Sequence, residues 1–259
     1  MKQIPNIFTL LNLICGCLAI RSVLQNGIAI TGNADGATWI DIPEELWMAS
    51  LYIAVGALID FLDGFLARAL HAGSAMGKQL DSLADVVTFG VAPGMILYQF
   101  LRLSLARENQ SLDAPEILLY PAFLLPAAAA WRLARYNITV EQPDYFRGLP
   151  VPATGIFFAS FPLIYWNVQT VWVQQLLMNK WFLYAVAIGF AGLMISRWPL
   201  LALKFRDLSL SNNRAQYLLL LTSIIALVLL KWLALPLVIA IYILLSLLFP
   251  PDRMGTART

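Results

Sequence analysis

Charge is scarce in this chain of 259 residues: lysine, arginine, aspartate and glutamate make up only 12% of it, against 60% hydrophobic residues and a mean hydropathy of +0.73. A soluble globular domain is about one-quarter charged, so this composition excludes an ordinary soluble enzyme and points to an integral membrane protein. The formal net charge of +2 offers no basic surface for nucleic acid. Cysteine is nearly absent. Cys15 and Cys17 stand two apart in one apolar segment, where a helix points them in different directions, so neither a disulfide nor a thiolate metal site is expected. The first apolar segment lacks the small-x-small site of a cleaved signal peptide and carries Asn6, Thr9 and Asn12, which a disposable leader does not need; it reads as a retained helix. Internal repeats and long flexible linkers are missing as well. Residues 1–259 therefore read as a single membrane domain, with a core over about residues 1–200 and an extra helical hairpin at about 212–250.

What is abundant is apolar length. Runs near 4–24, 46–70, 81–101, 115–136, 151–170, 179–197, 214–231 and 234–249 are each near the roughly 20 residues that cross a bilayer. The expectation is an all-α, polytopic bundle of about eight transmembrane helices. Only residues 231–233 and Pro236 separate the last two runs, so seven spans is the alternative. With both termini in the cytoplasm, twelve basic residues fall on that side (Lys2, Arg68, Lys78, Arg132, Arg135, Arg147, Arg197, Lys204, Arg206, Arg214, Arg253, Arg258) and five on the other (Arg21, Arg102, Arg107, Lys180, Lys231). This matches the positive-inside rule. The outer loop is acidic instead, with Asp35, Asp41, Glu44 and Glu45.

Against that background one short stretch, "DFLDGFLARALHAGSAMGKQLDSLAD", holds four of the chain's 15 acidic residues. Asp60 and Asp63 share a helix face with Gly64 and Ala67, and Asp81 and Asp85 share a face of the next helix. The turn between them, containing Gly73 and Gly77, folds the two helices into a hairpin and brings the pairs together. Four carboxylates at close range repel unless a cation intervenes, and an all-oxygen donor set suits a hard divalent ion such as Mg²⁺ or Mn²⁺. Ion pairs with Arg68, Lys78 or the arginines of the fourth run are the purely structural alternative. Glycine inside a helix costs about 1 kcal/mol relative to alanine, so Gly64 marks a place where something approaches the backbone.

The full spacing is Asp60-x2-Asp63-Gly64-x2-Ala67-Arg68-x8-Gly77-x3-Asp81-x3-Asp85. At every fixed position it resembles the motif of the CDP-alcohol phosphatidyltransferase family, whose members move a phosphatidyl group from a CDP-linked lipid to an alcohol and release CMP. The resemblance implies that Asp60, Asp63 and Asp81 hold the metal. It makes Asp85 the base that deprotonates the attacking alcohol, also within reach of a metal. It assigns Gly64, Ala67, Arg68 and Gly77 to the CDP moiety. Asn6 and Thr9, in "IPNIFTLLNLICG", are placed with the CDP-binding residues, although such polar residues also serve as glue between helices.

The shared motif does not choose the acceptor. "IPNIFTLLNLICG", "LDSLADVVTFGVAPG", "RLARYN" and "YFRGLPVPATG" resemble the serine-using branch of the family, over roughly residues 1–165. That branch implies CDP-diacylglycerol and L-serine as substrates, a bacterial cytoplasmic membrane with the active site facing the cytoplasm, and a homodimer among membrane lipid. Arg132, Arg135 and Arg147 are the cations available for a serine carboxylate, and each serves equally well as a positive-inside anchor. Glycerol 3-phosphate, inositol phosphate and choline remain alternative acceptors. Divalent-cation transport is the alternative of a different class, but the last four runs contain no Asp or Glu, whereas an ion path needs carboxylates across the bilayer. The sidedness is directly testable: a cysteine placed within residues 69–78 is expected to react with impermeant reagent only from the cytoplasmic side, and labelling of intact cells from outside would reverse the topology.

Overall fold

The structure, a computed structural model, describes residues 4–32, 38–70, 74–109, 115–139, 146–201 and 213–249. Lys2, Asp35, Gly73, Tyr145, Lys204, Arg206, Arg253 and Arg258, named above, lie outside them. The chain is mostly helical, in the order α1 (Ile4–Gln25), β1 (Ala29–Gly32), β2 (Thr38–Asp41), α2 (Trp47–Ala69), α3 (Ala75–Asp85), a π-helical segment (Val86–Val91), α4 (Ala92–Asn109), α5 (Leu124–Ile138), β3 (Phe146–Arg147), α6 (Val151–Asn167), α7 (Val171–Leu177), α8 (Lys180–Ile195), β4 (Pro199–Leu200), α9 (Arg214–Leu230) and α10 (Ala234–Leu248). Two short antiparallel pairings join this bundle: β1 with β2, Ala29 opposite Asp41, and β3 with β4, Phe146 opposite Leu200.

Among the described residues four helical stretches are long and apolar enough to cross a membrane: Pro5–Gln25, Glu44–Ala69, Ala75–Glu108 and Gln216–Leu248. The pair α7 and α8, bent by 62°, makes a fifth if it counts as one span. Prolines shape two of the eight apolar runs. The run at 115–136 opens with two 3-10 turns, Glu116–Leu118 after Pro115 and Tyr120–Phe123 around Pro121, so its α-helix is only 15 residues long. In the third run Pro93 follows the π segment. Its ring crowds the carbonyl four residues back and it offers no N–H, and a widened turn relieves both. The helix is continuous through that turn. The last stretch turns at Lys231, whose φ is +49°, and α9 and α10 pack on each other.

The π segment is where the helices meet. A Cβ on Gly16 of α1 would fall 2.5 Å from Thr88 Oγ1 and 2.9 Å from Thr88 Cα. On Gly56 of α2 it would fall 2.7 Å from Thr88 Cγ2, on Gly155 of α6 2.9 Å from Phe89 Cδ1, and on Gly90 3.0 Å from Ala129 of α5. At Gly16 and Gly155 the near atoms include the backbone of Thr88 and Phe89, so the helix backbones touch there and glycine is required. The Thr88 hydroxyl donates to the Asn12 carbonyl at 2.9 Å. Around this centre α6 is buried on nearly all sides, as an apolar helix without an amphipathic stripe must be. Its Phe157, Phe158 and Phe161 pack against Phe100 of α4 and Phe190 of α8, Phe157 and Phe190 at 4.2 Å between ring centroids.

The end opposite the aspartate hairpin is fastened separately. Tyr165 donates to Asp41 Oδ1 at 2.6 Å, Arg107 donates to the Tyr165 hydroxyl at 2.8 Å, and Arg107 lies 3.4 Å from Asp41 Oδ2. This ties the β1–β2 hairpin to α4 and α6.

Gly16→Ala is expected to force Thr88 and the π segment aside, at a cost of about 1–3 kcal/mol for an overpacked site. Thermal unfolding in detergent reads this as a lower Tm, accompanied by lost turnover because Asp85 immediately precedes the displaced turn. An unchanged Tm would mean that Thr88 yields freely.

Candidate active site

Helix α3 starts cleanly because Ser74 caps it, its side chain accepting from the Gly77 N–H at 2.9 Å. Its start is held against the end of α5: Lys78 donates to the Asn137 carbonyl at 3.3 Å and sits 5.3 Å from the centre of the Tyr136 ring, and the Asn137 amide donates to Ser82 Oγ at 2.8 Å. Residues 71–73 of the expected turn lie outside the described residues, but the two arms of the hairpin do bring their aspartates together, and α5 braces the second arm.

Within it, Asp60, Asp63 and Asp81 each bring one carboxylate oxygen to within 4.8 Å of the other two. Asp63 and Asp85 are buried, at 5% and 7% exposure, while Asp60 and Asp81 are half-buried. Asp60 faces both Asp81 and Asp85 across the hairpin. Among the described residues the ion pairs lie elsewhere, Arg107 with Asp41 and Lys180 with Glu108. The structural alternative of unrelated ion pairs with Arg68, Lys78 or the α5 arginines does not hold for these aspartates. The donor set is made of oxygens alone, and it is compact. Oxygens facing each other across a hard divalent ion such as Mg²⁺ are roughly 4 Å apart, so the trio fits such an ion. Magnesium and manganese are not distinguished by it.

Helix α1 lies along this hairpin and presents polar groups every third residue. Asn6 Oδ1 would be 2.9 Å from a Cβ on Gly77. Thr9, buried, donates to Asp63 Oδ2 at 2.8 Å, with the Pro5 carbonyl 3.1 Å away. Asn12, fully buried, donates to Asp85 Oδ1 at 3.4 Å. Gly77 thus owes its missing side chain to the packing of α1. Gly64 is different: a Cβ there would meet only the mobile end of Arg68, at 3.6 Å, so the backbone beside Asp63 is open. Ala67 is half-buried, and Arg68 is exposed and forms no ion pair among the described residues. On the same helix, Leu58, Phe61 and Phe65 are 59%, 65% and 54% exposed: carboxylates and exposed apolar side chains share neighbouring turns.

The three arginines have different surroundings. Arg132 on α5 is buried, its Nε has no hydrogen-bond partner, and it feels the charge of Asp85. Arg135 is engaged with the end of α8, donating to the carbonyls of Ile195 at 2.6 Å and Ser196 at 3.0 Å. These are carbonyls that a helix leaves without partners of its own. Arg147 is exposed on β3, opposite Pro199. Beside it Gly148, at φ +73°, turns the chain so closely against α8 that a Cβ would lie 2.7 Å from the Met194 and Ser196 carbonyls; only glycine fits. Sequence reasoning missed the bracing role of Asn137 and the contact between Tyr242 of α10 and the Leu201 carbonyl, 3.0 Å. "RLARYN" contained the first; nothing local pointed to the second.

This helical bundle has an oxygen-only carboxylate cluster between two adjacent helices that could hold a divalent ion, with an open backbone beside it. Residues 2–198 match the family model for CDP-alcohol phosphatidyltransferases, and the chain belongs to that family. It is 34% identical over 165 residues to the CDP-diacylglycerol–serine O-phosphatidyltransferase of Bacillus subtilis (strain 168), covering 64% of this chain and 78% of that protein. Proteins of the same description in Mycobacterium leprae (strain TN) and Saccharomyces cerevisiae (strain ATCC 204508 / S288c) are 30% and 36% identical over 207 and 155 residues. These alignments take in 77% and 56% of this chain but only 58% and 48% of the two relatives. Family membership displaces the transporter reading.

Arg135→Ala is expected to lower Tm, since two partners of a helix end are lost at about 1–3 kcal/mol, while the affinity for a CDP-linked lipid stays unchanged. A fall in that affinity with Tm intact would make Arg135 a ligand.

Proposed function

We propose that this protein transfers the phosphatidyl group of CDP-diacylglycerol to the hydroxyl of L-serine, giving phosphatidylserine and CMP. The observation that carries the reading is the compact trio of Asp60, Asp63 and Asp81 with buried Asp85 beside it, in a chain whose relatives are described by that reaction. Asp60, Asp63 and Asp81 would hold Mg²⁺ or Mn²⁺, which neutralises charge on the diphosphate and its leaving oxygen. Asp85 counts with them as a metal-facing carboxylate and is the base. It takes the proton of the serine hydroxyl as that oxygen bonds to the lipid-side phosphorus and the bond to the CMP oxygen breaks. Arg68 offers an exposed guanidinium to the diphosphate. Gly64 and Ala67 leave room for the nucleotide, with Asn6, Thr9 and Gly77 completing that wall. Arg132 is the best-placed cation for the serine carboxylate, being buried with an unpartnered Nε; Arg147 stays available at the rim and Arg135 is already engaged.

Serine is favoured over glycerol 3-phosphate or inositol phosphate because a phosphorylated acceptor calls for more basic residues than this site carries. Choline, a permanent cation, would leave Arg132 without an anionic partner. We further propose eight spans with both termini in the cytoplasm of a bacterium, the active site on that side of its cytoplasmic membrane, and a homodimer. The twelve-to-five distribution of basic residues supports the sidedness. So do the contacts of both chain ends near the same face: Asn6 at Gly77, and Ser246 of α10, which accepts from the Leu201 N–H at 3.2 Å.

An acceptor panel with labelled CDP-diacylglycerol tests the reading. Serine is expected to give phosphatidylserine and CMP, EDTA to abolish product, and Mg²⁺ or Mn²⁺ to restore it. Product from another acceptor alone would reassign the substrate, and full activity in rigorously metal-free protein would remove the metal from the mechanism.

A further inference from the structure

We infer that Asn12 of α1 is a positioning residue that sets the orientation of the Asp85 carboxylate. Asn12 is fully buried, and its Nδ2 donates to Asp85 Oδ1 at 3.4 Å. Its other amide atom, Oδ1, is buried without a hydrogen-bond partner. An unpartnered amide oxygen deep in a helical bundle is costly, and a leucine would fill the same space without that cost, so packing does not explain the residue. Held in place, the amide can present only one end to Asp85. With the oxygen turned that way, two acceptors would face each other and repel; with the nitrogen turned that way, one Asp85 oxygen is engaged and the other is left for the cluster, where Asp60 lies opposite.

Asn12 is held in place. Thr88 donates to its backbone carbonyl at 2.9 Å. Its Oδ1 lies 3.0 Å from the position of a Cβ on Gly56, so the side chain is wedged between α2 and the π segment and cannot swing away. Asp85 ends α3 one residue before that π segment. The carboxylate thus stands at the junction between α3 and the π segment. There a donor on a different helix meets it. Thr9 does the same for Asp63 on the other arm, at 2.8 Å, so α1 steadies one carboxylate on each helix of the hairpin.

The inference rests on Asp85 acting as the base in the family reaction, not on the identity of the acceptor. A double-mutant cycle tests it, run with whichever acceptor gives CMP release. Asn12→Leu is expected to lower kcat by about 10–100-fold, the usual effect of removing an outer-shell partner. Direct binding of CDP-diacylglycerol and the Tm should stay unchanged, because the Thr88 bond is to the backbone of residue 12. In an Asp85→Asn background, the same substitution should cost less than about twofold. An equal loss in both backgrounds, or a loss of CDP-diacylglycerol affinity matching the loss of kcat, would overturn the inference. If Asn12→Leu does not accumulate as folded protein, Asn12→Ala removes the amide without adding bulk and carries the same comparison. A wild-type protein active only with another acceptor overturns the serine assignment and leaves the cycle valid; one that releases no CMP with any acceptor overturns both.

Discussion

Everything at the candidate site depends on how closely three helices approach one another at Thr88. The absence of side chains at Gly16 and Gly56 lets α1 and α2 press against the π segment until Thr88 touches both. In lipid, where the surrounding solvent is as apolar as the side chains, packing of this kind and interhelical hydrogen bonds supply most of the drive for helices to associate. The same contact fixes the height of α1 against the hairpin. Thr9 and Asn12 then fall level with Asp63 and Asp85, one turn apart, as their spacing of three requires.

Concentrating four negative charges within a low-dielectric bundle is otherwise unfavourable, since each unpaired carboxylate is costly to desolvate. The protein meets that cost only in part, with two neutral donors from α1. Arg135 is spent on the end of α8, Arg68 is exposed, and among the described residues no arginine forms an ion pair with these carboxylates. A site arranged to be self-sufficient would have placed one of these cations among the carboxylates. An under-compensated cluster of oxygens is suited to a cation from outside.

Much of this was legible in the sequence. Four carboxylates at i, i+3 and i, i+4 spacings on either side of a glycine-bearing turn have one economical arrangement, and the hairpin adopts it. The scarcity of charge fixed the bundle's environment equally well. Other features were invisible because their causes are not local. The fit of Gly77 against Asn6, 71 residues earlier in the chain, cannot be read from its neighbours in sequence. "RLARYN" presents two arginines as equals, and only the position of α8 separates buried Arg132 from Arg135. The apolar runs gave helix positions but not their bends, since hydropathy is blind to the π turn before Pro93 and to the 3-10 turns around Pro115 and Pro121. The short β pairings escaped for the reverse reason: two to four residues carry no periodicity to read.

The exposed rings of Phe61 and Phe65 share their helix turns with Asp60 and Asp63. A lipid whose acyl chains lay along those rings would reach the carboxylates by sliding sideways within its leaflet, without leaving the bilayer. For such a donor, concentration is a surface density rather than a quantity per volume. Diluting the vesicles in buffer would leave encounters with the site unchanged, whereas diluting the donor among inert lipids would starve it, and the composition of the membrane itself becomes the variable that sets the rate.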